Sequence, residues 1–484
     1  MSVIVAGTEV PELLPIVVDL DGSLLKSDLL FEGASRLVSR RPWLVFKLGW
    51  WAAQGAATLK ARLALQVPLS VDVMPYNVEL ILWLRKRAAH GHQVVLATAS
   101  SKDLARRVAE HLSIFSRIFA SDDTDNLKGS RKRDVLCSAY GAYGFIYVGN
   151  SWADLPVWQR AAEAVVVNGS APLMRAVRAF GRPTRLFAPT GRGAAYELLR
   201  AMRIPQWIKN VLVLVPMFAA HRYAENRDVF LALRAALAFC LVSSSVYVLN
   251  DIVDLEDDRR HPRKRARPLA SGALGLLQGW MAWPIVLAAG LALGAFGVGH
   301  SFVGILGLYF LTSLAYTLRL KQTAMIDVLL LAALYTLRLV AGAVAIDVPT
   351  SFWLLTFSFF IFVSLAFVKR FTEIQSTSKE GGHEIGGRGY NATDLSLVAT
   401  MGGASGYVAV LVLALYINDP RTAELYQHPQ VIWLTCPVVM YWISRIWLQA
   451  HRGGLGDDPI VFARQDGFSL VAAAILATVF LLAR

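Results

Sequence analysis

Apolar residues are arranged in two different ways along this chain, and the change falls near residue 205. Before it, apolar runs of strand length occur at Pro15 to Asp19 (PIVVD), Gln93 to Thr98 (QVVLAT), Ile114 to Ala120, Phe145 to Val148 and Ala164 to Asn168. Polar stretches of helical period, such as SKDLARRVAEHL, separate them. This alternation predicts an α/β, Rossmannoid domain over residues 1–180, built on a parallel sheet that gathers ligands at the carboxyl ends of its strands. After residue 205 the apolar runs lengthen toward the roughly 20 residues that cross a hydrocarbon core as a helix. Nine such segments, at 207–221, 229–250, 276–297, 300–318, 326–346, 351–368, 398–417, 430–447 and 467–483, predict an all-α polytopic membrane domain over 201–484. The basic, Pro- and Gly-bearing stretch between the two, residues 181–200, reads as a linker.

One insertion breaks the α/β pattern. RRPWLVFKLGWWAAQGAATLKARLALQ, after the first strand, is helical and apolar but interrupted by Lys47. It reads as a small helical cap over an active site, in preference to an interfacial helix lying on the bilayer. The N-terminus has neither a basic n-region nor a long apolar h-region, so no signal peptide is expected and the first domain is expected in the cytoplasm. With that domain inside, the loops after spans two, four, six and eight are cytoplasmic. These loops hold most of the Lys and Arg of the membrane half, which agrees with the positive-inside rule and with a bacterial-type inner membrane.

Composition sharpens this picture. The chain is 55% hydrophobic, with mean hydropathy +0.46 and a formal net charge of +13. In a membrane protein such an excess belongs to cytoplasmic loops and headgroup-level anchors, so a nucleic-acid partner is not expected. Cys137, Cys240 and Cys436 are far apart and in apolar or helical settings, so neither a disulfide framework nor a CxxC metal site is indicated. The pattern is compatible with a homo-oligomer.

The first chemical constellation lies in VVDLDGSLLKSD. Its first strand delivers Asp19 and Asp21 onto the following loop, a spacing that lets one carboxylate attack phosphorus while the other protonates the leaving oxygen. Thr98 ends the second strand, Lys128 lies in NLKGSRK, and Asn150 and Asp154 lie in VGNSWADLP. This order resembles the four motifs of the haloacid dehalogenase superfamily. The resemblance implies Asp19 as nucleophile and metal ligand, Asp21 as general acid beside the same metal, Thr98 and Lys128 as phosphate ligands, and Asp154 as a ligand of Mg²⁺. Asn150 departs from the family, which has an acid there; an amide still ligates but adds no charge.

The second constellation is NDIVDLEDDRRHPRKRARPLASG, Asn250 to Gly272. On a continuing helix Asp251, Asp254 and Asp258 share one face, and a carboxylate row at a membrane border is costly unless it binds cations. Arg259, His261, Lys264 and Arg267 follow directly, so an acid-bound metal with adjacent cations matches a substrate carrying a diphosphate and a second phosphate. The block resembles the UbiA superfamily of intramembrane prenyltransferases, whose signature is NDxxDxxxD followed by RPxxxG. The second Asp-rich motif of its aromatic prenyltransferases is missing: KRFTEIQSTSKEGGHEIGGRGY, with Lys369, Arg370, Glu373 and Arg388, stands there instead.

With YTLRLKQTAMIDV (Tyr316, Lys321, Asp327), YTLRLVAG (Arg338) and QWIKN (Trp207, Lys209), the chain is similar to the decaprenyl-phosphate phosphoribosyltransferase branch. That resemblance implies Mg²⁺-dependent transfer of a 5-phosphoribosyl group from phosphoribosyl pyrophosphate to a polyprenyl phosphate. Asp251, Asp254 and Asp258 would hold Mg²⁺, with Asn250 orienting them. The loop cations would hold the sugar phosphate or diphosphate, and Lys321, Lys369 and Arg370 the lipid phosphate, with Lys209, Tyr316 and Arg338 as further substrate-binding residues. The fused domain is expected to remove the 5-phosphate from the lipid-linked product. The competing reading is an aromatic prenyltransferase using a polyprenyl diphosphate, or a phosphatase-like domain retained as an inactive regulatory module.

Overall fold

A computed structural model describes residues 13–55, 58–59, 62–63, 66–121, 127–188, 192–379, 389–419, 426–455 and 459–483. Compactness divides the chain into two units: Met1–Met202 with Val248–Ala282, and Arg203–Tyr247 with Trp283–Arg484.

In the first unit, β1 (Ile16–Val18), β2 (Val94–Ser101), β3 (Arg117–Ser121), β4 (Ile146–Gly149), β5 (Glu163–Val167) and β6 (Thr184–Phe187) form one all-parallel sheet in the order β3-β2-β1-β4-β5-β6. β1 sits centrally, its three residues fully buried. Ile16 and Val18 pack with Leu80, Leu84 and Val108 on one face, while Val17 packs with Leu136, Tyr147 and Trp158 on the other. Helices cover both faces, as a parallel sheet requires. They are α1 (Leu29–Arg40), α2 (Val45–Ala53), α3 (Val78–Ala89), α4 (Lys102–Leu112), α5 (Ser130–Tyr140), α6 (Leu155–Trp158), α7 (Ala171–Arg178) and α8 (Ala194–Ala201). α1 and α2 lie between β1 and β2, where the cap was expected.

The stretch expected as a linker is structured. Thr184 to Phe187 pair with Ala164 to Val167, and Ala194–Ala201 is helical. Edge position explains why its pattern was weak, since Arg185 and Leu186 are exposed and only Phe187 is buried.

Seven helices among the described residues are long and apolar enough to cross a bilayer: α9 (Asn226–Val253), α11 (Leu276–Gly297), α12 (His300–Leu318), α13 (Ile326–Ala345), α14 (Phe352–Lys379), and the segments Ala392–Ile417 and Pro429–His451. α10 (Leu255–Arg260) follows α9 after a break at Asp254. The first and ninth expected spans are shorter, Ile204–Ala219 and Gly467–Ala483. In the first, prolines at 205 and 216 and the polar run Gln206 to Asn210 leave a 3₁₀ stretch over Ile204–Leu214. Close helix packing uses small residues: a Cβ on Gly402 would stand 2.2 Å from the Trp447 ring, and Ser364 donates to the Gly402 carbonyl at 2.7 Å.

Candidate functional site

The end of β1 carries Asp19 and Asp21, β2 carries Thr98 just before its pairing with β3 shifts register, and the end of β4 leads to Asn150 and Asp154, so three neighbouring strands bring these residues together. Asp21 Oδ1 accepts from the Leu29 amide at 3.0 Å and Oδ2 from the Ser100 hydroxyl at 2.9 Å, which fixes the carboxyl at the start of α1. Thr98 is fully buried, and its hydroxyl accepts from the Ser100 amide.

The cation paired with Asp19 is Lys132, whose Nζ lies 2.6 Å from Asp19 Oδ1 and 3.1 Å from the Tyr147 hydroxyl. Lys128, the lysine expected there, is exposed one helical turn earlier. Both occur in NLKGSRK, and the packing of α5 decides which points inward. Burial pushes the Asp19 carboxyl up to about 7; Lys132 opposes this and Asp154 reinforces it. Asp154 Oδ1 accepts from Tyr147, and Oδ2 accepts from the amides of Asn150 and Ser151 and the Ser151 hydroxyl.

Among the described residues no three His, Cys, Asp or Glu side chains are grouped closely enough to hold a metal unaided. Mg²⁺ does not require that, since it is commonly bound through one or two carboxylates plus water and substrate phosphate. Asp19 and Asp154 offer two carboxylates and Asn150 an amide oxygen where the paired strands β1 and β4 end side by side. These residues fit Mg²⁺.

The acidic row lies in the same unit, at the end of α9 and in α10. Asp251 and Asp258 are buried and Asp254 half-buried. Arg267 Nη1 bridges the row, 3.1 Å from Asp251 Oδ1 and 2.5 Å from Asp258 Oδ2. Burial raises the Asp258 carboxyl to about 6; Arg267 lowers it, and Asp251 and Asp254 raise it. Crowded, desolvated carboxylates of this kind favour a cation, so this oxygen set also fits Mg²⁺. His261 and Lys264 are exposed in the following loop, and Asn250 is half-buried beside Asp251.

Arg259, expected at a phosphate, is instead bound to protein. Its Nη1 and Nη2 reach Glu32 Oε2 and Oε1 at 2.9 and 2.6 Å, and its Nε donates to the Ala270 carbonyl at 3.0 Å. Glu32 belongs to α1, whose first amide binds Asp21, so one helix touches both constellations. The two side chains are 4% and 7% exposed. Glu32→Ala is therefore expected to cost about 3–5 kcal/mol by stranding a buried guanidinium. The check is pulse proteolysis of the detergent-solubilised protein in urea, where an unchanged midpoint would mean the arginine is solvated.

In the second unit, the segment Ile204–Leu214 brings Lys209 to a largely apolar cavity of about 330 Å³, lined by Ile208, Leu212, Phe362, Leu365 and Trp442 among others. Arg338 is enclosed: Nε donates to Asn210 at 2.9 Å and Nη2 to the Tyr309 hydroxyl at 3.1 Å, and the guanidinium lies about 5 Å from the rings of Phe239, Tyr309 and Tyr335. Arg370 is fully buried, paired with Asp327 at 2.5 Å and with Glu373, and donates to the Tyr316 hydroxyl at 3.1 Å. Lys321 and Lys369 are half-buried. Arg388 lies outside the described residues.

Three comparisons bear on this arrangement. Residues 211–464 match the model of the UbiA prenyltransferase family. An uncharacterised protein, y4nM, of Sinorhizobium fredii is 35% identical over 473 residues, covering 97% of this chain and 91% of its own length. A decaprenyl-phosphate phosphoribosyltransferase of Mycolicibacterium smegmatis is 35% identical over 277 residues, 56% of this chain and 86% of that protein. The solved structure of a UbiA homologue from Archaeoglobus fulgidus bound to GPP and Mg²⁺ aligns with 59% of this chain and 98% of its own, at 16% identity and TM-score 0.46.

Proposed function

Because this chain belongs to the UbiA prenyltransferase family, we propose that it transfers a 5-phosphoribosyl group from phosphoribosyl pyrophosphate to a polyprenyl phosphate such as decaprenyl phosphate. The carrying observation is the Arg370 cluster. Asp327 and Glu373, the acids near the position of the missing second Asp-rich motif, are both paired with this one buried guanidinium. Carboxylates held by a guanidinium that is itself fully buried are poor ligands for a second metal on an allylic diphosphate, whereas Arg267 beside Asp251 and Asp258 is partly exposed and can swing aside; this argues against an aromatic prenyltransferase. The resemblance to phosphoribosyltransferases supports the same reading.

In this reaction a lipid phosphate oxygen forms the new bond to the anomeric carbon as the bond to pyrophosphate breaks. A phosphate monoester is already ionised near neutral pH, so no side-chain base is required. Asp251, Asp254 and Asp258 would hold Mg²⁺, which when bound would supply charge neutralisation for the leaving pyrophosphate. Asn250 orients the row. Arg267, His261 and Lys264 hold the sugar phosphate or diphosphate, and alignment of the two reactants supplies much of the acceleration. Lys209, Lys321 and Lys369 are assigned to the lipid phosphate, with the apolar cavity at Lys209 suited to isoprenoid carbons. Arg338 and Arg370 are positioning residues.

The α/β centre is assigned to phosphatase chemistry on the 5-phosphate of the lipid-linked product. Asp19 attacks phosphorus, Asp21 protonates the departing sugar oxygen, and Lys132 and Thr98 hold the phosphoryl oxygens. The acidic row folds into the same unit as this centre, which raises the local concentration of product. Both centres are assigned to the cytoplasmic face of an inner membrane, following the loop charges.

The test offers purified protein with Mg²⁺ two substrate pairs: ribose-labelled phosphoribosyl pyrophosphate with polyprenyl phosphate, and a labelled prenyl diphosphate with 4-hydroxybenzoate. Lipid-borne ribose label from the first pair and no prenylated product from the second is expected; the reverse pattern overturns the reading.

A further inference from the structure

α2 and the turn before it present apolar surface on opposite sides. Leu44, Leu48 and Trp51 pack inward against Leu37, Leu63 and Val67. Trp43, Phe46 and Trp50 point outward on one stripe and are 62%, 86% and 68% exposed. A soluble domain has no reason to hold three large aromatics in water on adjacent helical turns. Cations frame the stripe. Arg40, Arg41 and Lys47 are exposed beside it, and a cavity of about 260 Å³ opens among Arg41, Trp43, Lys47, Trp51 and Gln66. Aromatics with amphipathic rings, flanked by Lys and Arg on a short helix, have the composition of a segment that lies in the headgroup layer.

The fold gives a reason why the covering medium is lipid. α1, which a short turn joins to α2, is tied within its own unit to the start of a membrane span, where Trp280 of α11 donates its indole N–H to the Ser35 hydroxyl at 3.1 Å. Leu276 begins that span, so Trp280 stands at headgroup depth. Glu32 on the same helix is clamped to Arg259. α1 is thus fixed at the membrane border, and the five-residue step from Arg40 to Val45 keeps α2 close to it. We propose that the Trp43, Phe46 and Trp50 face inserts into the interfacial layer of the bilayer, with Arg40, Arg41 and Lys47 on anionic lipid headgroups, so that the insertion after β1 anchors the phosphatase-like centre to the membrane surface. This assignment is independent of the transfer reaction.

The full chain is reconstituted in phosphatidylcholine vesicles with and without phosphatidylglycerol. It carries Cys137→Ser and a nitroxide at Phe46→Cys, a position exposed enough to accept it. Power-saturation spectroscopy then compares relaxation by oxygen, which concentrates in lipid, with relaxation by a water-soluble nickel chelate. A control label sits at Glu110→Cys on α4, an exposed polar position. Nickel accessibility severalfold lower at 46 than at 110, with high oxygen accessibility, is expected. It should deepen with phosphatidylglycerol and lose that dependence in Arg41→Ser/Lys47→Ser. Equal nickel accessibility at the two positions overturns the proposal, as does protection from both reagents that persists in detergent, the result for a protein partner or a second copy.

Discussion

Asp254→Ala is expected to lower transfer turnover by at least about 10²-fold and to raise the Mg²⁺ concentration needed for what remains. Arg267 bridges Asp251 and Asp258 on either side of this residue. The bridge should survive this substitution, so lost activity reports the ligand and not a collapsed loop. Asp258→Ala is a poorer probe, because it also removes one of the two acceptors of Arg267. The measurement is ribose label in the lipid fraction across a Mg²⁺ titration. If turnover and the Mg²⁺ requirement both match the parent protein, the acidic row is not the metal site.

Asp19→Asn is expected to abolish phosphate release from the lipid-linked product by about 10⁴-fold or more, because an amide cannot replace the attacking carboxylate. Lipid labelling should stay within about twofold, since transfer is assigned to other residues. The substitution is nearly isosteric and keeps an oxygen that accepts from Lys132, so the fold should persist. Phosphate release and label transfer measured on one preparation separate the two activities. Undiminished phosphate release would remove Asp19 from the chemistry, and parallel loss of both activities would mean that the centres do not act separately. If the parent protein itself releases no phosphate, the regulatory reading of this domain gains.

Much of this was legible along the chain, for reasons that differ by residue. Asp19, Thr98 and Asp154 could be grouped from the sequence because strands can be read from short apolar runs, and the sheet does set the three strands that carry them side by side. Lys132 was missed in favour of Lys128 because two cations four residues apart look alike until α5 packs. β6 escaped because an edge strand with only Phe187 buried lacks the two-sided apolar run of its neighbours. The shortening of the first span was signalled by Pro205, Pro216 and the polar residues between them, a signal that mean apolarity conceals.

The order of apolar and polar residues was enough by itself to specify a parallel α/β unit, a set of membrane helices and an acidic row with its cations, because each depends on residues within a few turns of one another. Tertiary structure decided how those parts are used. It bound Arg259 to Glu32 across 227 positions and Trp280 to Ser35 across 245, and folded residues 248–282 into the unit that carries Asp19. It also enclosed Arg338 and Arg370, which read as ligand cations, within aromatic and acidic partners. Periodicity reports which face of an element is buried, whereas the partner of a buried charge is chosen by packing between distant segments, where an unpaired ion costs several kcal/mol.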